Sequence, residues 1–203
     1  MSPKLYDSIT KSASLRSSDS FARNRCFLRR GIGSYNISLM VVREKLTWED
    51  VCADPDLHDL PFKIELNRLN QIVMSPAHPR HSRLQSKIAR ILGDLLSDGE
   101  AIVELAVETR DSTKVPDVVW ASKATIAQHG SDISWLSAPE ICIEVLSPAN
   151  TVDEIEQKRA LYFERGALEV WLCSWDGRMT FYSAEGKLTH SKFCPMFPDI
   201  IVL

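Results

Sequence analysis

Leu84, Ile88, Ile91, Leu92, Leu95 and Leu96 recur at helical spacing, which predicts a helix over residues 80–97 with Gly99 as its stop. Before it, Thr47-Trp48-Glu49-Asp50 has the form of a capping box opening a short helix that ends near Pro55. Residues 62–67 and 70–75 are short extended segments separated about Leu69-Asn70, an imperfect hairpin. After it, residues 101–107 and 115–120 read as strands, Ala121 to His129 as a short helix, and 131–139 as a loop closed by Pro139. The run Ile141-Cys142-Ile143-Glu144-Val145-Leu146 is apolar and β-rich enough for a central strand. Ser147-Pro148-Ala149-Asn150 breaks it, and Thr151-x-x-Glu154 caps a helix that runs to Arg165 and stops at Gly166. Leu168 to Trp175, Asp176-Gly177 and Met179 to Tyr182 spell a hairpin, and Phe193 to Leu203 a packing segment that turns at Phe197-Pro198. Together these elements predict an α/β domain, a mixed β-sheet flanked by α-helices.

Composition narrows the class. A chain of 203 residues with 44% hydrophobic content buries a core without disulfides or a structural metal. Its apolar runs are too short to span a bilayer, so no membrane partner is expected. Five cysteines, with no Cys-x-x-Cys spacing, fit neither a disulfide framework nor a zinc cluster and point to a reducing, cytoplasmic setting. The net charge of −3 hides an asymmetry: residues 1–39 are basic and Ser-rich, with seven Lys/Arg against two Asp/Glu. Three readings of this segment stay open: a disordered basic tail, a transit peptide, or a mis-assigned start with Met40 as the true one. The domain proper is then 40–203.

Two carboxylates interrupt runs that ought to be buried. Asp117 follows Pro116 and precedes Val118-Val119-Trp120, and Glu144 lies within the central strand. One such acid is ordinarily an edge residue or a solvated alternate position. Two in neighbouring strands need a cation, a hydrogen-bond network or a metal to offset their burial, and Mg²⁺ and Mn²⁺ prefer such oxygen ligands. On the capped helix, Val152, Ile155, Tyr162 and Phe163 share one side. Lys158 lies at the edge of that arc and Arg159 nearer its middle, so the wheel alone does not choose between them. A lysine offers a compact ammonium on a flexible stem; its ordinary alternative is to snorkel and pair with Glu154.

At these residues the chain resembles a known family. Lys63-Ile64-Glu65-Leu66, Ile72 to Pro76, His81, Val115-Pro116-Asp117-Val118, Pro139 to Pro148 and Lys158 to Tyr162 are similar, in register from about Leu46 onward, to the Uma-type restriction endonucleases of the PD-(D/E)XK nuclease superfamily. The resemblance implies a restriction-endonuclease-like fold and hydrolysis of phosphodiester bonds in DNA with Mg²⁺ or Mn²⁺. It makes Asp117 and Glu144 catalytic metal ligands and Glu65 an additional ligand. The superfamily's usual lysine position, two after the second acid, is Leu146 here, and its role passes to Lys158 on the following helix. Glu104 and His81 match family positions without an assigned role, and Tyr162 is a packing or supporting residue. The family's Asp-Gly hairpin turn is replaced by Arg68-Leu69-Asn70.

Nucleic-acid contact is less legible. The domain carries 17 Lys/Arg against 25 Asp/Glu, which does not favour a polyanion. Arg80, Arg83, Lys87 and Arg90 nevertheless form a stripe along the long helix, read either as a phosphate-tracking surface or as a solvated face. His78 and His81 have metal-pair spacing but no third ligand nearby, and the cysteines lack a nucleophile motif. The expected partners are DNA and a second copy of the chain, the latter at the apolar edge of the Leu168–Tyr182 hairpin. Two rival functions remain: a catalytically silent nucleic-acid-binding or regulatory module, and a metal-dependent phosphodiesterase acting on RNA or small nucleotides.

Overall fold

The computed structural model describes residues 45–203 other than Ser131; the basic segment 1–39 and the proposed start at Met40 lie outside the described residues. A six-stranded mixed sheet forms the centre, built from β3 (Gly99–Val103), β6 (Val118–Ser122), β7 (Ile141–Val145), β8 (Glu169–Cys173), β9 (Met179–Ser183) and β10 (Gly186–Leu188). Its order is β10-β9-β8-β7-β6-β3, and only β7 and β8 run parallel. Two hairpins stand apart from it: β1 (Phe62–Leu66) with β2 (Ile72–Pro76), and β4 (Val107–Thr109) with β5 (Ser112–Lys114). The helices are α1 (Trp48–Ala53), α2 (Pro79–Leu95), α3 (Lys123–His129) and α4 (Val152–Glu164). The mixed α/β class expected from the sequence is what forms.

Both faces of the sheet are covered, which explains why β7 and β8 read as unbroken apolar runs. Val118, Trp120, Ile141, Ile143, Val145 and Trp171 point to one face, where they meet Leu84, Ile88 and Leu92 of α2 and Phe197 and Ile201 of the C-terminal segment. Val119, Cys142 and Val170 point to the other, against Tyr162 of α4. Both predicted capping boxes form, Thr47 with Asp50 and Thr151 with Glu154. No helix among the described residues is long and apolar enough to cross a membrane.

Several boundaries differ from expectation. The single strand over 101–107 is two, because Glu104 adopts a left-handed backbone (φ 54°) that ends β3 and redirects the chain into β4. On α4, Val152 is 77% exposed and Leu161 takes a buried place instead. The C-terminal segment packs as expected, but its turn is closed by Phe197 N–H donating to the Cys194 carbonyl. The edge of the 168–182 hairpin is not free for a partner copy, since β10 pairs with β9 along it. In the β1–β2 turn, the Asn67 side chain accepts from the amides of Leu69 and Gln71, and Asn70 takes a left-handed backbone at φ 54°.

Gly99 is a packing residue rather than a helix stop. It opens β3, and a Cβ there would lie 2.2 Å from the Ala121 carbonyl oxygen and against the Trp120 ring. Gly93, inside α2, has nothing within 4 Å of the same position. Urea unfolding is therefore expected to show Gly99→Ala less stable by about 1–3 kcal/mol and Gly93→Ala more stable by about 0.5–1 kcal/mol. Equal effects would contradict the close approach at Gly99.

Candidate active site

Asp117 immediately precedes β6, and the β6–β7 register pairs Val118 with Ile143. One step further along that register sets Asp117 beside Glu144, so side-chain alternation sends both carboxylates to the same face. This is the face that α4 covers. On α4, Ile155, Lys158 and Tyr162 share a stripe at helical spacing, which aims Lys158 and Tyr162 at Glu144. On β1, Lys63 and Glu65 are two residues apart and emerge on one side, towards the same point.

The contacts are close. Lys158 Nζ donates to Glu65 Oε1 at 2.8 Å and to the two Glu144 oxygens at 3.3 and 3.4 Å. Tyr162 Oη donates to Glu144 Oε1 at 2.6 Å. Lys63 Nζ donates to Asp117 Oδ1 at 2.6 Å and stands 3.7 Å from Glu65 Oε1 and 3.9 Å from Glu144 Oε2. Asp117 Oδ2 accepts from the Val145 amide at 2.7 Å and is 3.1 Å from His81 Nε2. The Val115 amide donates to Glu65 Oε1 at 3.1 Å. Asp117 and Glu144 are 1% and 5% exposed, so these partners replace water as the source of their stabilisation.

The three acids titrate differently, and the cause is who faces whom. Burial pushes all three carboxyls up. For Asp117, Lys63 and the hydrogen bond from His81 outweigh it and hold the group well below the usual carboxylate range. For Glu65, Lys158 and Lys63 do the same. Glu144 is the exception: burial prevails over both lysines, with Asp117 and Glu65 adding repulsion, and its pKa is raised. The hydrogen bond to Asp117 raises His81, against its partial burial. Burial disfavours the charged lysines, yet the surrounding carboxylates raise Lys63 and Lys158 above the ordinary lysine value.

The structure thus brings Asp117, Glu144, Glu65 and Lys158 together and chooses Lys158 over Arg159. The Arg159 guanidinium pairs with Glu156 and lies 4.0 Å over the Tyr182 ring, away from the acids. His81 reaches Asp117, whereas His78 caps α2 by accepting from the Arg80 amide, so the two histidines do not form a metal pair. Glu104 accepts from Gln85 Nε2 at 3.4 Å, and the same amide group donates to the Asp117 carbonyl at 2.8 Å. Lys63 falls within the family-like Lys63-Ile64-Glu65-Leu66 segment but was given no role, and Gln85 escaped the sequence reading. Their local signals are periodic: Lys63 two before Glu65 on a strand, and Gln85 four after His81 on a helix.

The basic stripe does not join the site. His81, Leu84, Gln85 and Ile88 define the inward side of α2, and Arg83 and Arg90 stand roughly 150° round the helix from His81 and Gln85. Arg80 is engaged by the Trp175 carbonyl at 2.7 Å and lies over its ring, and Lys87 donates to the Val202 carbonyl. Helical geometry turns this surface away from the acids.

A family model described as Uma2, "Putative restriction endonuclease", matches residues 54–199, a span that includes Lys63, Glu65, His81, Asp117, Glu144, Lys158 and Tyr162. The chain belongs to the Uma2 family. Its fold is similar to that of a crystal structure described as "a putative nuclease belonging to DUF820" from Anabaena variabilis. The two superimpose with a TM-score of 0.54 at 20% identity, over 68% of this chain and 79% of that one. No curated protein matches the chain. Within this Uma2 member, no three His, Cys, Asp or Glu side chains among the described residues stand arranged to hold a metal ion. The donor chemistry nevertheless suits a hard divalent cation: three carboxylates converge, and what lies between them is an ammonium group.

Proposed function

We propose that this Uma2-family chain is a divalent-metal-dependent endonuclease that hydrolyses phosphodiester bonds in DNA. The observation that carries the reading is the convergence of Asp117 and Glu144, from adjacent strands, with Glu65 and Lys158 on one point at the end of the sheet. Structural acids do not need this arrangement. A buried carboxylate that only stabilises the fold is served by one cation, whereas here three carboxylates share two.

Asp117 and Glu144 would hold Mg²⁺ or Mn²⁺, with Glu65 completing the ligand set. Such an ion polarises a phosphate oxygen and lowers the pKa of a bound water. Lys158 offsets negative charge at the phosphate from the Glu65 and Glu144 side. Tyr162 fixes the Glu144 carboxylate through its hydroxyl, and His81 with the Val145 amide fixes that of Asp117. A site that makes one cut at a time reaches both strands of a duplex through a second copy or a second encounter. Light scattering distinguishes these.

The test is a substrate panel of supercoiled plasmid, linear duplex, single-stranded RNA and cyclic dinucleotide, each with Mg²⁺, Mn²⁺ or EDTA. Nicking or linearisation of plasmid that needs metal is the expected result. Turnover confined to RNA or the small nucleotide would move the chain to the phosphodiesterase reading. DNA binding without turnover of any substrate would make it a silent module.

A further inference from the structure

Lys63 has a role that the acid–lysine arrangement above does not require. Its ammonium is 2.6 Å from Asp117 Oδ1, 3.9 Å from Glu144 Oε2 and 3.7 Å from Glu65 Oε1, so every charged partner it has is one of the three acids. No hydrogen bond to a backbone carbonyl or a neutral side chain holds it among the described residues. Lys114, one neighbour away, shows the contrast, since it donates to the Leu66 carbonyl at 2.8 Å. The Lys63 ammonium therefore sits where a cation shared by Asp117 and Glu144 would sit, on a four-carbon stem that can move.

We propose that Lys63 is a built-in counter-ion that fills the cation position between Asp117 and Glu144 and is displaced when a divalent metal binds. The proposal rests on the metal-dependent reading above. Two consequences of charge follow. Without metal, the three carboxylates face the two ammonium groups of Lys63 and Lys158, which let the acids stay buried in the metal-free protein. With a divalent ion in place of the Lys63 ammonium, the same pocket gains one unit of positive charge and suits a phosphodiester better. Lys158 is the fixed partner in this scheme, anchored by both Glu65 and Glu144 from a capped helix, whereas Lys63 is the one that exchanges.

The experiment compares Mn²⁺ binding by titration calorimetry in wild type, Lys63→Met and Lys63→Gln. An ammonium that fills the position in about nine of ten molecules lowers apparent affinity about tenfold, so both variants are expected to bind Mn²⁺ about tenfold tighter or more. Wild-type protein supplies a second readout that does not depend on a variant folding. Reductive methylation followed by mass spectrometry is expected to label Lys63 faster with Mn²⁺ than with EDTA, while exposed Lys187 labels equally in both. Wild type that binds Mn²⁺, with variants binding no tighter and Lys63 labelling unchanged, would overturn the role of Lys63 and leave the metal site standing. Absence of Mn²⁺ binding in wild type and both variants would overturn the metal reading and this proposal with it.

Discussion

Glu144→Gln is expected to lower metal-dependent cleavage by about a thousandfold or more while leaving the protein at least as stable as wild type. The two halves of this expectation have separate causes. Loss of activity follows from removing one of the two proposed metal-binding carboxylates contributed by adjacent strands. The stability half follows from the position of Glu144, which alone among the three acids has a raised pKa because burial prevails over its lysine partners. Its charge is therefore a cost to the fold, and a neutral amide removes that cost. The glutamine oxygen can still accept from Tyr162, whose hydroxyl lies 2.6 Å from Glu144 Oε1. Plasmid nicking in Mn²⁺ and urea unfolding in EDTA read the two halves. Cleavage within tenfold of wild type would remove Glu144 from the mechanism, and a large loss of stability would contradict the electrostatic account of the site.

The second large effect is on stability. Lys158→Ala is expected to destabilise the metal-free protein by about 3–5 kcal/mol, the cost typical of removing one partner from a buried ion pair. Lys158 is only 13% exposed and neutralises two acids at once, Glu65 and Glu144, whose side chains are themselves 13% and 6% exposed. Arg159→Ala, one residue on, is expected to cost about 1 kcal/mol, since its pairing with Glu156 is exposed and its contact with Tyr182 is a single cation–π stack. Substituting Glu65 by Gln in the Lys158→Ala background is expected to recover part of the loss, because one unpaired buried charge disappears. Urea midpoints for the three proteins decide the matter. Equal costs at 158 and 159 would show that the acids are solvated after all.

What the sequence revealed here, and what it hid, divides along the range of the interactions. The capping boxes at Thr47 and Thr151 are local, set by residues three apart, and both form as read. Asp117 and Glu144 were conspicuous because a charged side chain inside an apolar run is anomalous, whatever the fold. The choice of Lys158 over Arg159 needed the neighbours: only the tertiary arrangement shows that one position faces Glu144 and the next faces Tyr182. The role of Lys63 stayed hidden because a lysine on a short, half-buried strand looks like any solvated residue, and the acids it touches lie as many as 81 positions away. On α2, periodicity places the basic residues on one face, but which way that face turns depends on where His81 and Gln85 dock.

The break at Glu104 has the same character. Ala-Ile-Val-Glu-Leu-Ala-Val is a largely apolar run that reads as one strand, and local preference does not foresee a left-handed residue in its middle. The reason lies elsewhere in the chain: the Glu104 amide donates to the Asp117 carbonyl, and Gln85 bridges that carbonyl to the Glu104 side chain. The bend that ends β3 is thus tied to the backbone of Asp117, at the point where the acids converge.

Mn²⁺ titration calorimetry is the decisive measurement for the proposed divalent-metal site at Asp117 and Glu144. Wild type and Glu144→Ala are compared, each with and without a short DNA duplex, so the site can be found before any sequence preference is known. The account expects saturable binding by wild type, strengthened by the duplex, that vanishes in the variant. Identical heats from the two proteins, or no binding even with DNA present, would contradict it.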